Sequence, residues 1–340
     1  MENKTVRDSL FKHFQKNYVS VSTAGEIFND AVYDDMLVIH RIAFSSSTVR
    51  FGLSNIKDFP SSYDAGKSLM QGIPTDGLRH TLVFCDGTRI NGTELVKGIK
   101  ESLPSDVTVT GGLAGDGGFF KKTLVGLNRN IQPGNIVAIG FYGENLKISH
   151  GSMGGWDSFG PDRLVTKSDK NVLYELDDKP ALDLYKRYLG DLADKLPASA
   201  LLFPLSIKSE ESNSPLVRTI LSVNEKDKSM TFAGNIPAGS YARLMKANFD
   251  RLIDAAGSAA EACEPLTRAA SQFALLISCV GRKMALNQRI DEEIEAVRHV
   301  FGETAIMGGF YSYGEISPLV KGDACELLNQ TMTITTFAEI

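Results

Sequence analysis

Three glycine-rich turns hold the residues best suited to chemistry: residues 22–27 (Ser-Thr-Ala-Gly-Glu-Ile), 111–117 (Gly-Gly-Leu-Ala-Gly-Asp-Gly) and 308–316 (Gly-Gly-Phe-Tyr-Ser-Tyr-Gly-Glu-Ile). Glycine adopts positive φ and lets backbone approach a ligand closely. In parallel α/β sheets, ligands bind beyond the carboxyl ends of strands, where such turns lie. Each turn carries one acid, Glu26, Asp116 or Glu315, able to accept hydrogen bonds from a cationic or amine-bearing group. The competing expectation is that the glycines make tight turns and the acids cap neighbouring backbone.

Other chemistries have less behind them. Residues 150–160 form a glycine-dense stretch with the sole tryptophan, Trp156. It reads as a loop whose indole packs over a pocket or closes the core between two halves. Of the five histidines, His13 shares a helical stripe with Val6, Leu10 and Phe14 and is expected to be buried. His40 reads as a core strand residue and His299 as solvated, while His80 leads into a strand and His150 enters the glycine stretch. No pair has metal-ligand spacing, and no C-x-x-C-H attaches a haem. Cys85, Cys263, Cys279 and Cys325 form no C-x-x-C pair, which leaves neither a zinc site nor a disulfide framework. Residues 234–240 (Gly-Asn-Ile-Pro-Ala-Gly-Ser) lack the lysine of a phosphate loop and read as a capped loop. With no G-x-S-x-G elbow and no Ser/His/Asp or Cys/His arrangement, an enzyme is not expected.

The elements that position these turns repeat. Residues 81–87 form an apolar strand ending in Cys-x-Gly. A helix follows with Leu95, Val96, Ile99 and Leu103 on one face, then a strand runs from 107 into the second turn. Residues 273–281 repeat the strand and the Cys-x-Gly. Their helix is expected to start at Asn287, carry Ile290, Ile294, Val297 and Phe301, and stop at Gly302 before a strand enters the third turn. An incomplete third copy, lacking its first strand, begins the chain with a helix and a strand at 18–21. A further apolar strand follows each turn, at 36–44, 136–141 and 332–337.

Between the copies, a helix is expected from Pro180 to Gly190, and strands at 201–205, 216–223 and 230–232. A polar hairpin loop spans 207–215, and a helix capped by Ser240 carries Met245, Phe249, Leu252 and Ile253. The whole reads as an α/β fold: repeated strand–helix–strand units form mixed sheets covered by helices. Two halves, residues 1–165 and 166–340, enclose a pocket.

The 340 residues carry a net charge of −5, with a pI near 5.7. That balance argues against nucleic acid or an anionic membrane as a partner. Apolar runs such as 273–280 are too short to span a bilayer, and the first residues lack the apolar core of a signal peptide. A cytoplasmic location is the expectation.

The chain resembles the FIST family of ligand-sensing signal-transduction domains, in both its N-terminal and C-terminal segments. The stretches that carry the resemblance are the three turns, Gly-Trp-Asp-Ser-Phe-Gly-Pro at 155–161, Asn-Val-Leu-Tyr-Glu-Leu-Asp at 171–177 and Ser-Cys-Val-Gly-Arg at 278–282. The resemblance implies a sensory module that binds a small ligand such as an amino acid and regulates a signalling protein such as a histidine kinase or cyclic-di-GMP enzyme. The candidate ligand contacts are Thr23, Gly25, Glu26, Gly112, Asp116, Trp156, Arg282, Tyr311, Tyr313 and Glu315. Some stand-alone members are haem-based nitric-oxide sensors. That alternative would bring haem b, with His150 and then His13 as candidate ligands. A ligand-free interaction scaffold is the remaining reading.

Overall fold

The computed structural model describes residues 4–209, 214–263, 273–320 and 322–340. These form helices α1 (Lys4–Phe14), α2 (Ser62–Gln71), α3 (Gly92–Lys100), α4 (Ala181–Leu189), α5 (Phe249–Glu261), α6 (Val280–Leu286) and α7 (Ile290–Phe301). The repeat organises the core. Strand Leu78–Cys85 pairs in parallel with Thr108–Leu113 across α3, and Phe273–Cys279 pairs in parallel with Ile306–Ser312 across α6 and α7. In each copy an antiparallel strand flanks the first member: Asn135–Tyr142 in one, Met332–Glu339 in the other. Thr48–Asn55 and Leu146–Met153 then pair with those flanking strands.

Each six-stranded sheet is completed by a hairpin beside the second parallel strand. Gly314–Ser317 and Glu326–Leu328 follow the second copy in sequence yet extend the sheet of the first. Glu26–Phe28 and Ala31–Tyr33 complete the other sheet. The two copies therefore share a hairpin and cannot be separated without opening a sheet.

Strand alternation makes four layers. Leu82 and Phe84 project from one sheet into an apolar layer with Leu275, Ile277, Phe310 and Phe337 of the other. The outer faces carry α2 and α3 on one side and α5 and α7 on the other, burying Leu69, Leu95, Ile99, Ala256, Ile294 and Val297. Helices α2 and α3 touch backbone to backbone, because a methyl group at Gly98 would lie 2.1 Å from the Tyr63 carbonyl oxygen.

Residues 157–246 form a separate antiparallel domain, inserted between strand Leu146–Met153 and α5. Its eight strands curl around α4 and a core of Val165, Leu173, Leu182, Tyr185, Phe232 and Leu244. The expected boundary at residue 165 falls inside strand Asp157–Asp169 of this domain.

Several expectations are corrected. Residues 36–44 form no strand, despite a strongly β-forming composition. The hairpin ending at Tyr33 takes the sheet edge, and residues 36–44 run on as an extended strap. Strand Val19–Val21 of the third copy joins a small sheet with Val125–Leu127 and Asn130–Gln132 instead of a parallel pair. Asn287 ends α6 with φ of 48° rather than capping a new helix, since asparagine also tolerates the left-handed region. Ser240 precedes strand Tyr241–Lys246, and the helix starts later, capped by Asn248. Residues 198–202 are 3₁₀-helical and the strand is Leu205–Lys208. Residues 150–153 belong to a strand, leaving only 154–156 as a loop. The hairpin of Leu205–Lys208 with Leu216–Arg218 is present, and residues 210–213 of its loop lie outside the described residues.

Candidate functional site

The fold brings the three glycine turns together. The Ala24 N–H donates to the Tyr311 carbonyl and the Tyr311 N–H to the Gly25 carbonyl, both at 2.8 Å. The Gly115 and Gly117 N–H groups donate to the Ser22 and Thr23 carbonyls. All three acids are engaged with backbone, Glu315 through the Thr331 N–H at 3.1 Å. Glu26 accepts from the Thr23 hydroxyl and from the Met36 N–H at 3.2 Å. Asp116 accepts the N–H groups of Phe120, Lys121 and Lys122 at 2.8 to 2.9 Å. The Tyr313 hydroxyl donates to Asp116 and accepts the Phe120 N–H at 3.1 Å, with its ring stacked on Phe120.

Glu315 is fully buried and accepts the Ser312 hydroxyl at 2.6 Å and the Thr331 hydroxyl at 2.9 Å. Burial pushes its carboxyl up to about 7 against those hydrogen bonds and the Arg282 charge. Arg282 and Tyr311 are buried as well, and both meet Glu293. The carboxylate takes the Arg282 Nη2 at 2.7 Å, the Tyr311 hydroxyl at 2.6 Å and the Ser278 hydroxyl at 3.2 Å. Glu293 was invisible in sequence because it follows Asp291 and Glu292 in a helical acidic run. Gly112 lies between the sheets, where a methyl group would come within 2.7 Å of Ile277. Trp156 packs with Met245 of the inserted domain and with Leu252 and Leu286, and its indole N–H donates to the Gln330 carbonyl at 3.0 Å.

The inserted domain sits over the carboxyl ends of both parallel strand pairs and leaves a cleft at each. One, of about 530 Å³, runs between Leu202, Phe203 and Lys246 of that domain and residues 284–289 after α6 begins. The other, of about 270 Å³, is lined by residues 87–91, Leu113 and Tyr313 on one side and by Asn171, Leu221 and residues 231–233 on the other. Tyr313 is the sequence candidate that lines it.

Buried Asp86 holds the turn of residues 87–91 that lines one side of this smaller cleft. Its Oδ1 accepts the Thr88 N–H at 2.7 Å, the Arg89 N–H at 3.0 Å and the Thr123 hydroxyl at 2.7 Å, and its Oδ2 accepts the Gly134 N–H at 2.6 Å. Gly87 is required here, since a methyl group would lie 2.0 Å from the Ala114 carbonyl oxygen. The turn thus held presents Arg89 in solvent at the cleft, where its guanidinium makes no ion pair or hydrogen bond among the described residues. Asn91 and Asn235 tie the two domains beside it, at 2.9 Å, and Asn235 also bonds Glu94. Asp86 and Arg89 are not among the residues the glycine turns single out. The available signal was the Asp-Gly after Cys85, at the end of a repeated strand.

Among the described residues no group of His, Cys, Asp and Glu is arranged to hold a metal ion. His13, expected to be buried, is exposed and sits edge-on to Phe14. His150 is half-buried opposite Thr335 in a strand pair. His80 lies between the sheets, bonded to the Thr108 and Thr110 hydroxyls at 2.7 and 2.9 Å, and burial lowers its pKa to about 3. No histidine lines either cleft, so neither cleft fits a histidine-ligated haem.

Among the described residues no helix is long and apolar enough to cross a membrane. No match was found among curated proteins. The FIST N domain model matches residues 4–179 and the FIST C domain model residues 181–318. The domains of that family are sensory signal-transduction modules that bind small ligands, rather than catalysts. With the two models covering nearly its whole length in order, the chain belongs to the FIST family.

Proposed function

We propose that this protein is a cytoplasmic sensory module whose smaller interdomain cleft binds a carboxylate-bearing ligand of amino-acid size. Occupancy would be passed to a separate signalling protein, such as a histidine kinase or a cyclic-di-GMP enzyme. The observation that carries the reading is Arg89: an exposed guanidinium without a protein partner, fixed through its backbone at a cleft with an apolar floor of Leu113, Leu221 and Phe232. A guanidinium recognises a carboxylate by paired, charge-assisted hydrogen bonds. Asn91, Asn171, Thr231 and the Tyr313 edge supply further polar contacts.

A ligand touching both domains shifts their closure equilibrium by its difference in affinity for the two states. The four free, buried cysteines support a reducing compartment. A thermal-shift screen of amino acids against their decarboxylated amines tests the reading. Carboxylates should raise the melting temperature and the amines should not; equal shifts, or none, would sink it.

A further inference from the structure

The strap of residues 36–44 follows the 26–33 hairpin at the edge of its sheet. Its head is fixed by the Met36 N–H on Glu26. Its tail is fixed by the Glu339 carboxylate, which accepts the Ser46 and Ser47 N–H groups at 3.0 and 2.7 Å. In between, His40 packs on Phe273 with ring centroids 5.3 Å apart, and Phe44 packs edge-on against Phe141. The strap is thus held extended across the inter-sheet core. Most of its outward side chains are apolar: Met36, Leu37, Ile39 and Ile42 are 54%, 55%, 48% and 41% exposed, with Phe28 and Ile306 exposed on the neighbouring strands, and Arg41 is the one exposed cation among them. Among the described residues, the backbone N–H and C=O groups of residues 37–44 make no hydrogen bond. An extended, β-forming, apolar segment with a free backbone is a template for strand addition.

We propose that this strap is a homodimer interface, pairing antiparallel with the same strap of a second copy, with His40 on the twofold axis. The sequence is self-complementary about that residue. Met36 then faces Phe44, Leu37 faces Ala43, Val38 faces Ile42, and Ile39 faces Arg41. Its one cation meets an aliphatic side chain rather than its own copy, and Asp34 and Asp35 fall opposite Ser46 and Ser45. An isologous contact needs such self-matching, because each residue's partner is set by the axis. Directly opposed residues also stabilise a strand pair when both are apolar.

Sedimentation velocity of the full chain tests this, together with Ile39→Lys and single-cysteine variants. The wild type should sediment at twice the 37.0 kDa of one chain. Ile39→Lys, at an exposed position, should keep the wild-type circular dichroism and melting temperature while raising the dimer dissociation constant about tenfold or more. Ile39→Cys mixed with Arg41→Cys should form a disulfide-linked dimer, and either variant alone should not, because only opposed residues bring Cβ atoms into range. The native cysteines are all buried and give no competing reaction. A monomeric wild type, a dimer indifferent to Ile39→Lys, or cross-linking of Ile39→Cys alone as fast as the mixture would overturn the proposal.

Discussion

Asp86 fixes Arg89 at the cleft through the backbone, its buried Oδ1 accepting the Arg89 N–H at 3.0 Å, while the Arg89 guanidinium stays in solvent. Positioning and recognition are thereby assigned to different atoms of one turn. Removing the side chain should leave the turn intact. Arg89→Ala is expected to change unfolding stability by less than about 0.5 kcal/mol. It should weaken a carboxylate ligand roughly 10- to 100-fold, the worth of a charge-assisted hydrogen bond. Paired urea melts and binding titrations check both halves of that statement.

The buried Arg282–Glu293 pair joins α6 to α7, and it also accepts from Tyr311 and Ser278. Breaking one side leaves an uncompensated charge. Glu293→Gln should therefore destabilise the fold by about 3–5 kcal/mol, whereas an apolar replacement of both partners should recover much of that loss. Denaturant unfolding of the single and double variants measures the difference.

Glu315 makes stability depend on pH in one direction. Its carboxyl is raised from 4.5 to about 7 in the folded state. Its contribution is therefore complete below about pH 4.5 and is lost as pH rises through about 7, on the order of 3 kcal/mol in total. Glu315→Gln should abolish that dependence. Urea unfolding at pH 5 and pH 8 would read it as a difference between variant and wild type that grows with pH.

His80 works in the opposite direction. Burial, and secondarily His150, lowers its pKa from 6.5 to about 3. Its contribution is present above about pH 6.5 and is lost as pH falls toward 3. Over the window where the two groups overlap they offset in the wild type. Unfolding curves from pH 4.5 to 6.5 should therefore be nearly flat for the wild type as far as these groups go. They should fall with acid for Glu315→Gln and rise with acid for His80→Gln.

The parts of the fold that were legible in sequence share a physical cause. Strand 81–85 and strand 273–279, with the helices after them, announce themselves by periodicity, because each buries a face against the same neighbours in both copies. The strap was misread because local composition sets β-propensity, while membership of a sheet depends on which strand reaches the edge first; here the 26–33 hairpin does. Asn287 misled because one residue type both caps helices and ends them. At the site, the placing of the second and third turns followed from their position after parallel strands, which is how Tyr313 is legible. The first turn follows an antiparallel strand and joins them through backbone hydrogen bonds. Arg89 is not legible in that way, since an exposed arginine in a short turn has no periodicity, and its meaning depends on the inserted domain facing it across the cleft.

The most direct measurement is a calorimetric titration of the full chain with amino acids, repeated on Leu221→Trp. Leu221 lines the smaller cleft from the inserted domain and is half-buried there, so an indole fills the space without disturbing Asp86 or Arg89. Binding of one molecule per chain to the wild type, lost in Leu221→Trp while the melting temperature of the unliganded protein holds, is the result expected. No binding across the amino acids, or binding that persists unchanged with the cleft filled, would contradict the assignment of this cleft as the ligand site.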